Sequence, residues 1–374
     1  MTTIELEPVP PWPTAAAADR VPPSALLLAP SHGLGGGIER YVATVQSALD
    51  EAGVATRRLD LAHAGPAGHR ALLAAGRTAL AGLTGPVRVV AAHRALLPVA
   101  ALLARSRPLS GISVICHGSD VWGSRWEPRR ALESWLMRRR GVRLVAVSSY
   151  TAGALITRGQ ATILPPGLSR RWFGTLVAAA GGARSAAGAT AGPRLEVMTA
   201  FRLDDWRDKG LPELVDAIGG LGRPDIRLTV CGSGDPPAGL LGHLSCHPWC
   251  ELRAGLADDE LAAQFARADL FVLATRTRAG RRPSGEGFGL VLLEAQVAGT
   301  AVIGPAHGGS PDAYLDGLTG LTPRDESAAA LREVLAELAA DPARLAAMGA
   351  QGAAVARARF APERYAALAV SRLL

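Results

Sequence analysis

Two acidic residues bracket the segment of this chain that is best suited to bind a phosphorylated ligand. Glu286 precedes the turn Gly287-Phe288-Gly289, and Glu294 follows in an apolar run that predicts a helix, about 12 Å further on at about 1.5 Å per residue. The start of such a helix offers backbone N–H groups and a positive dipole end to phosphate. A nucleoside diphosphate would fit there, with one acid at a sugar and the other at the ribose. An ordinary amphipathic helix with two solvated acids has the same spacing.

Strand-like runs flank this segment on both sides. Residues 268–273 are a buried-strand pattern upstream, and residues 301–305 are another downstream. A strand, a glycine-rich turn, a helix and a strand make a βαβ unit, and open α/β sheets bind phosphates at such turns. The surrounding elements therefore favour the ligand-binding interpretation.

The whole chain shows this pattern in two halves, and its 374 residues suit two domains. We predict an α/β protein with two doubly wound Rossmann-like domains facing a central cleft that holds the ligand. The stretch 177–193 is nearly all Ala, Gly, Ser and Thr, which is typical of a linker. The predicted segments are a disordered leader 1–23, a first domain 24–176, a flexible linker 177–193, a second domain 194–355, and a C-terminal helix 356–374 that packs back on the first domain.

Composition narrows the classes of partner. A formal net charge of +7 favours anionic ligands. The charges are spread out, without the basic tract and interleaved aromatics of a nucleic-acid binder, so we expect no nucleic acid. No apolar run approaches the roughly 20 residues of a membrane span. The leader 1–23 has no basic n-region of a signal peptide, so we predict a cytoplasmic protein.

The first glycine loop partly matches a dinucleotide fingerprint. Gly33 and Gly35 fit two positions of G-x-G-x-x-G, and Asp60 ends a strand-like run where an NAD ribose acid would lie. Ile38 occupies the third glycine position, and a dehydrogenase leaves the acidic pair of the second half unexplained. The sequence therefore argues against an NAD enzyme.

Four residues with zinc-ligand chemistry cluster in the second half. They are His243, Cys246, His247 and Cys250. Pro248 would break a helix carrying them, and chance clusters of this kind are common. We predict no metal site.

Motifs in both halves together resemble the retaining GT-B glycosyltransferases of family 4. They are the Gly36-Gly37-Ile38-Glu39-Arg40 turn, Arg202 with Lys209, and the segment from Glu286 to Glu294. The similarity covers the chain from about Ala25 to its last residue, excluding the leader and linker. Within it, the segment 275–296 most resembles actinobacterial phosphatidylinositol-mannoside mannosyltransferases. These motifs are specific for the family and weak for the substrate.

The resemblance implies a role for each matching side chain. Arg202 and Lys209 would hold the diphosphate and neutralise the departing nucleotide. Glu294 would accept hydrogen bonds from the ribose hydroxyls, and Glu286 would contact the donor sugar near its C3 and C4 hydroxyls. His117 matches the family histidine at the end of a strand that faces the donor sugar and the acceptor.

Backbone groups complete the implied site. Gly36 and Gly37 would let the first-domain backbone approach the pyrophosphate and sugar. The amides of Phe288 and Gly289 would extend the phosphate cradle, and the loop His307–Asp312 would lie beside the donor. The implied catalytic residues are His117, Glu286, Arg202 and Lys209, and the implied donor-binding residues are Gly36, Gly37, Arg202, Lys209, Glu286, Gly287, Phe288, Gly289 and Glu294.

The assignment of Lys209 also has support that does not depend on the family resemblance. Lys and Arg together number 40, and Lys209 is the single lysine, so 40 − 1 = 39 are arginine. An ammonium is a compact point charge, whereas a guanidinium is a planar fork. A site that requires an ammonium would resist replacement by arginine.

The implied chemistry is electrostatic. No carboxylate nucleophile is evident, and the resemblance implies a front-face route in which the leaving phosphate oxygen helps accept the proton of the acceptor. Cations on the diphosphate can replace a divalent metal, and the pairs Asp204-Asp205 and Asp258-Asp259 are better interpreted as turn and N-cap acids. We therefore expect a metal-independent reaction without a cofactor, in which the nucleotide-sugar is a co-substrate.

The substrates stay open at this stage. The donor is a UDP- or GDP-linked hexose, and the acceptor a small polyol, aminocyclitol, specialised metabolite or phosphoinositide. A nucleotide-sugar epimerase or hydrolase and a catalytically silent nucleotide-sugar-binding protein are the alternatives. The sequence gives no oligomeric state.

Two further segments have weaker assignments. The basic stretch 126–140 would copy the membrane-facing surface of lipid-modifying relatives. A solvated helix with partners such as Glu127 and Glu133 is the preferred interpretation, because few exposed aromatics are available. The Arg-rich loop 276–283 has no assigned role.

Overall fold

The computed structural model describes residues 24–30, 36–106, 108–118, 120–122, 128–186, 194–280 and 283–374. The chain forms two compact units. The first runs to Ser169 and resumes at Arg359–Leu374, and the second is Arg170–Ala358. The predicted leader 1–23 lies outside the described residues.

The first unit contains a six-stranded parallel sheet in the order β2-β1-β3-β4-β5-β6. Strand β1 is buried at all six positions, because helices cover both faces of a parallel sheet. Its strands are β1 (Ser24–Ala29), β2 (Ala55–Asp60), β3 (Val87–Ala91), β4 (Gly111–Cys116), β5 (Val142–Ala146) and β6 (Ala161–Ile163). Its helices are α1 (Gly37–Glu51), α2 (Pro66–Ala81), α3 (Leu97–Leu103), α4 (Pro128–Met137), α5 (Ser149–Leu155) and α13 (Pro362–Leu373).

The second unit contains another six-stranded parallel sheet, in the order β12-β11-β10-β7-β8-β9. This is the strand order of a dinucleotide-binding Rossmann sheet. Its strands are β7 (Leu195–Arg202), β8 (Ile226–Ser233), β9 (Cys250–Ala254), β10 (Leu270–Val272), β11 (Ala301–Ile303) and β12 (Gly320–Leu321). Its helices are α6 (Arg170–Ala186), α7 (Leu211–Gly219), α8 (Ala238–Ser245), α9 (Asp258–Arg267), α10 (Leu290–Ala298), α11 (Ala328–Ala340) and α12 (Pro342–Arg359).

Each sheet has one point at which the strand order reverses. It lies between β1 and β3 in the first unit and between β7 and β10 in the second. Successive connections leave such a point in opposite directions, and ligands of open α/β sheets bind in the crevice that opens there. The two doubly wound α/β sheets confirm the predicted fold class.

The predicted flexible linker 177–193 is wrong over its first part. Helix α6 continues to Ala186, and Leu176 and Ala180, one turn apart, are buried on the same face. Alanine is the best helix former, so an alanine-rich composition favours a helix once one face can pack. Residues 187–193 lie outside the described part of the chain.

The last helix completes the first unit. Helix α12 extends to Arg359, and α13 begins at Pro362, where a proline is favourable because its missing N–H needs no partner. Tyr365 and Leu373 of α13 share a hydrophobic cluster with Tyr41 of α1. The Ser113 hydroxyl of β4 donates a hydrogen bond of 2.6 Å to the Leu373 carbonyl. Among the described residues, no helix is long and apolar enough to span a bilayer.

Candidate active site

Lys209 and Glu286 form an ion pair at the switch point of the second sheet. Lys209 follows β7 and Glu286 follows β10, with 2.9 Å between Nζ and Oε2. The Thr275 hydroxyl donates to the same oxygen at 3.0 Å, and the Gly289 N–H donates to Oε1 at 3.1 Å. The side chains of Lys209 and Glu286 are 25% and 14% exposed, so the pair is sheltered but open on one side.

The charge state of Glu286 follows from these contacts. Burial by itself would raise the pKa of Glu286, but Lys209, Thr275 and the Gly289 amide together lower that pKa below its ordinary value. Glu286 is therefore a carboxylate at neutral pH, which accepts hydrogen bonds and donates none. Such a group suits recognition of sugar hydroxyls.

A glycine fixes the loop that carries Lys209. Gly210 has a φ of +70°, and a Cβ at this position would lie 2.0 Å from the Ala274 carbonyl oxygen. The Arg276 N–H donates to the Asp208 carbonyl at 2.8 Å. The chain after β7 therefore lies against the chain after β10, which brings Lys209 to Glu286.

Arg202 ends β7 and remains largely solvated. Its side chain is 46% exposed, and its Nε lies 3.6 Å from the Asp205 carboxylate. Exposed pairs of this kind contribute roughly 0–1 kcal/mol. Arg202 can exchange this partner for a phosphate at little cost, whereas Lys209 is held in place.

The turn that joins Glu286 to α10 ends at Gly289. The helix begins at Leu290, because Gly289 has a φ of +82° and ends the preceding turn. The Gly289 N–H, predicted to bind phosphate, donates to Glu286. In this structure Gly289 organises the acid instead of presenting its amide.

The loop after β11 also supports Glu286. The Gly309 N–H donates to the Glu286 carbonyl at 2.8 Å. Gly308 has a φ of +113°, and a Cβ there would lie 2.5 Å from the same carbonyl oxygen. The family resemblance implies that the loop His307–Asp312 lies beside the donor, and the structure brings this loop to the backbone of Glu286.

Glu294 lies in the interior of the second unit. It is 1% exposed, and its Oε1 accepts a hydrogen bond of 2.9 Å from the indole N–H of Trp172. Most residues of helix α10 are buried, and Glu294 is buried with them. Trp172 precedes Glu294 by 122 residues, and no motif spacing pointed to it.

The Arg-rich loop 276–283 forms ion pairs with residues that flank Lys209 in the sequence. Arg278 pairs with Asp208 at 2.5 Å, and Arg276 pairs with Glu213. Arg278 and Ser284 exchange both backbone hydrogen bonds, at 3.0 and 3.1 Å. The arginines described in this loop therefore support the residues around Lys209; positions 281–282 lie outside the described chain.

His117 of the first unit directly follows β4. Its Nε2 lies 2.7 Å from the Ala92 carbonyl oxygen, which can only accept, so Nε2 carries the proton and Nδ1 keeps a lone pair. Burial lowers the pKa of His117, the Asp120 charge opposes this, and His93 adds to it. The neutral ring offers a hydrogen-bond acceptor to a hydroxyl group.

Two residues around His117 were missed by the sequence analysis. Asp120 accepts from the N–H groups of His117 and Gly118, at 3.0 and 2.8 Å. The ring of His93 stacks on that of His117 at 6.1 Å, and its Nε2 lies 3.8 Å from Asp120. His93 and His117 follow the adjacent parallel strands β3 and β4, and this pattern could have identified the pair.

The pH dependence of stability tests the state of His117. Because its pKa is lowered in the fold, the unfolded chain binds more protons between that pKa and the ordinary value of 6.5, so stability falls as pH falls through this range. We expect His117→Gln to flatten this slope, by at most about 1.4 kcal/mol per pH unit. Denaturant unfolding between pH 5 and 8 measures it, and an unchanged slope would show that His117 titrates normally.

The glycine turn of the first unit is described from Gly36 onward. Gly36 is the extended N-cap of α1. A Cβ on Gly37 would meet no described atom within 4 Å. Packing does not demand glycine there, so the open space is compatible with the predicted approach of a ligand. Gly33 and Gly35 lie outside the described residues.

The two histidines of the His/Cys cluster in the second unit make aromatic contacts. The ring of His243 lies 5.3 Å from Trp206 and 5.7 Å from His247. Within the part of the chain that the structure describes, no group of three or more His, Cys, Asp or Glu side chains is arranged to hold a metal ion.

Helix α4 differs from the solvated helix that the sequence favoured. Glu133 is 3% exposed and pairs with Arg94 at 2.7 Å, and with Arg129 at 3.0 Å. Leu132 and Trp135 are 47% and 53% exposed, and the Arg139 guanidinium lies 4.9 Å from the Trp135 ring. The helix buries an acid and displays apolar side chains; Glu127 lies outside the described residues.

Comparisons with known proteins agree on the family. The model of glycosyl transferases group 1 matches residues 201–355. The GDP-mannose-dependent alpha-(1-6)-phosphatidylinositol monomannoside mannosyltransferase of Mycobacterium tuberculosis is 33% identical over 284 residues, covering 69% of this chain and 68% of the relative. The protein of the same description from Mycolicibacterium smegmatis is 35% identical over 149 residues, 38% of this chain and only 39% of that relative.

A solved structure extends the agreement to the fold. Sucrose-phosphate synthase from Thermosynechococcus elongatus superposes with a TM-score of 0.75 at 21% identity, covering 94% of this chain and 98% of that one. The strand orders, the motif residues at the second switch point and these matches lead to one conclusion. The chain belongs to the group 1 glycosyltransferases, which are hexosyltransferases of the GT-B fold and family 4, and its relatives include the phosphatidylinositol-mannoside mannosyltransferases.

Proposed function

We propose that the protein is a retaining glycosyltransferase that moves a hexose from a UDP- or GDP-linked donor to a hydroxyl of a small-molecule or lipid acceptor. The observation that carries this proposal is the sheltered pair of Lys209 and Glu286 at the second switch point. The Lys209 ammonium has three donors, so it can hold Glu286 and still bind a diphosphate oxygen. The Glu286 carboxylate accepts from the donor sugar.

The proposed chemistry stabilises a leaving group. The bond from the anomeric carbon to the diphosphate oxygen breaks, and a bond to the acceptor oxygen forms on the same face. The departing phosphate oxygen takes the proton of the acceptor. Lys209, held in place, and Arg202, largely solvated, neutralise the charge that grows on the diphosphate.

The names of the relatives and the chemistry of the surface support a choice of substrates to test. We propose GDP-mannose as the first donor to test, and an inositol-bearing acceptor, free or lipid-linked. The exposed Trp135 and Leu132 beside Arg139 support the lipid-linked form, because apolar side chains flanked by arginine suit an anionic bilayer surface. UDP-glucose and UDP-N-acetylglucosamine are the competing donors.

Product analysis with a radiolabelled donor tests the proposal. GDP-mannose or UDP-glucose is incubated with the protein and with myo-inositol or phosphatidylinositol vesicles. A transferase releases free nucleotide and forms a labelled glycoside. An epimerase gives an altered sugar still joined to its nucleotide, a hydrolase gives free sugar, and a silent binding protein gives no turnover; each of these three results contradicts the proposal.

We further expect turnover to need no divalent metal or other cofactor. Lys209 and Arg202 supply the positive charge that a metal would otherwise bring to the diphosphate. Transfer rates measured in EDTA and in added Mg²⁺ or Mn²⁺ should agree within about twofold. A strict requirement for either ion would overturn this expectation.

A further inference from the structure

Glu294, the second acid of the segment 286–294, is hydrogen-bonded to a tryptophan. Glu294 is 1% exposed, and the indole N–H of Trp172 donates to its Oε1 at 2.9 Å. We propose that Trp172 is a positioning residue that holds the Glu294 carboxylate in the orientation that receives the ribose of the donor. This inference rests on the proposed function, in which Glu294 binds the ribose.

The chemistry of the partner suits this task. The Glu294 carboxylate has about four lone-pair positions, and the indole N–H of Trp172 occupies one of them. The carboxylate can therefore keep this hydrogen bond while it accepts others from the ribose hydroxyls.

The indole that donates this hydrogen bond is also held rigidly. Trp172 lies in the first turn of α6, is 9% exposed, and reaches Glu294 on the neighbouring helix α10. A glutamate side chain has several rotatable bonds, and a buried carboxylate is costly unless it is hydrogen-bonded. The packed indole therefore selects one orientation of the carboxylate before a nucleotide arrives.

The substitution Trp172→Phe removes the N–H and keeps an aromatic ring. We expect the Kd for UDP or GDP, measured by titration calorimetry, to rise about tenfold, because a hydrogen bond to a charged group is lost. The kcat at saturating donor should stay within about twofold, because Trp172 acts on binding and not on the reacting atoms. Trp249→Phe is the matched control, since it makes the same change in the same unit away from Glu294, and its Kd should equal that of the native protein.

A double-mutant cycle tests whether Trp172 acts through Glu294. Glu294→Gln and the double variant should bind the nucleotide equally weakly, because the indole has no carboxylate left to orient. Additive losses, a native Kd in Trp172→Phe, or a fall in kcat with an unchanged Kd would each overturn the proposal. If the native protein binds neither UDP nor GDP, the proposed function fails and this inference with it.

A measurement on the native protein avoids any folding defect of the variant. The indole N–H resonance of Trp172 is identified in ¹⁵N-labelled protein by its shift in Glu294→Gln. We expect the same resonance to move when the protein is saturated with UDP or GDP. A resonance that stays in place at saturation contradicts the proposal.

Discussion

Replacing Lys209 with alanine is expected to lower kcat/KM by about 10²–10³-fold, the usual effect of removing one donor from a charge-stabilising site. The change removes an ammonium from the proposed diphosphate site and leaves the Glu286 carboxylate with Thr275 and the Gly289 amide as its donors. Initial rates over a range of donor concentrations measure the loss. The folded state should persist, because those two hydrogen bonds still satisfy the acid.

Two controls sharpen this prediction. Lys209→Arg keeps the charge but replaces a point donor with a planar fork, so we expect only partial recovery. Arg223→Ala removes an arginine from the pair with Asp225 in the same unit, where the two side chains are 39% and 28% exposed, and should leave kcat/KM unchanged. Full donor affinity in Lys209→Ala would show that the diphosphate binds elsewhere.

Gly210→Ala is expected to destabilise the protein by about 3 kcal/mol or more. A positive φ costs an alanine roughly 1–2 kcal/mol, and the new Cβ would lie 2.0 Å from a backbone oxygen, which must move. That oxygen belongs to Ala274, next to Thr275 of the site, so donor affinity should fall as well. Chemical denaturation and nucleotide titration measure the two effects.

Gly222→Ala provides a matched control. Gly222 has a φ of +64°, close to that of Gly210, and a Cβ there would meet no described atom within 4 Å. This variant should be destabilised only by the positive φ of its backbone, and it should keep its donor affinity. Equal destabilisation of the two variants would mean that the contact with Ala274 relaxes without cost.

The fold and the family could be predicted from the sequence because their signals are local. Apolar runs alternate with helical periods, and each glycine turn lies beside the strand that it terminates. The same local logic failed at residues 177–186, where an alanine-rich composition predicted a linker. Alanine has no side-chain entropy to lose in a helix, so the packing of Leu176 and Ala180 on one face favours the extension of α6.

The candidate site was only partly predictable. Spacing identified Glu286 and Glu294, and resemblance added Lys209. The ion pair between Lys209 and Glu286 joins positions 77 residues apart, and the hydrogen bond from Trp172 joins positions 122 apart. Such pairs depend on strand order and side-chain packing, which a single sequence does not contain.

The return of the chain to its first unit has a consequence for biosynthesis. Helix α13 supplies Tyr365 and Leu373 to a hydrophobic cluster that begins in β1 and α1. A chain made from its N-terminus must therefore expose part of this cluster until residues 359–374 leave the ribosome. The second unit is fully synthesised once Ala358 has been added, so it can fold before the first unit is complete. Until then the first unit exposes an apolar surface to which chaperones can bind.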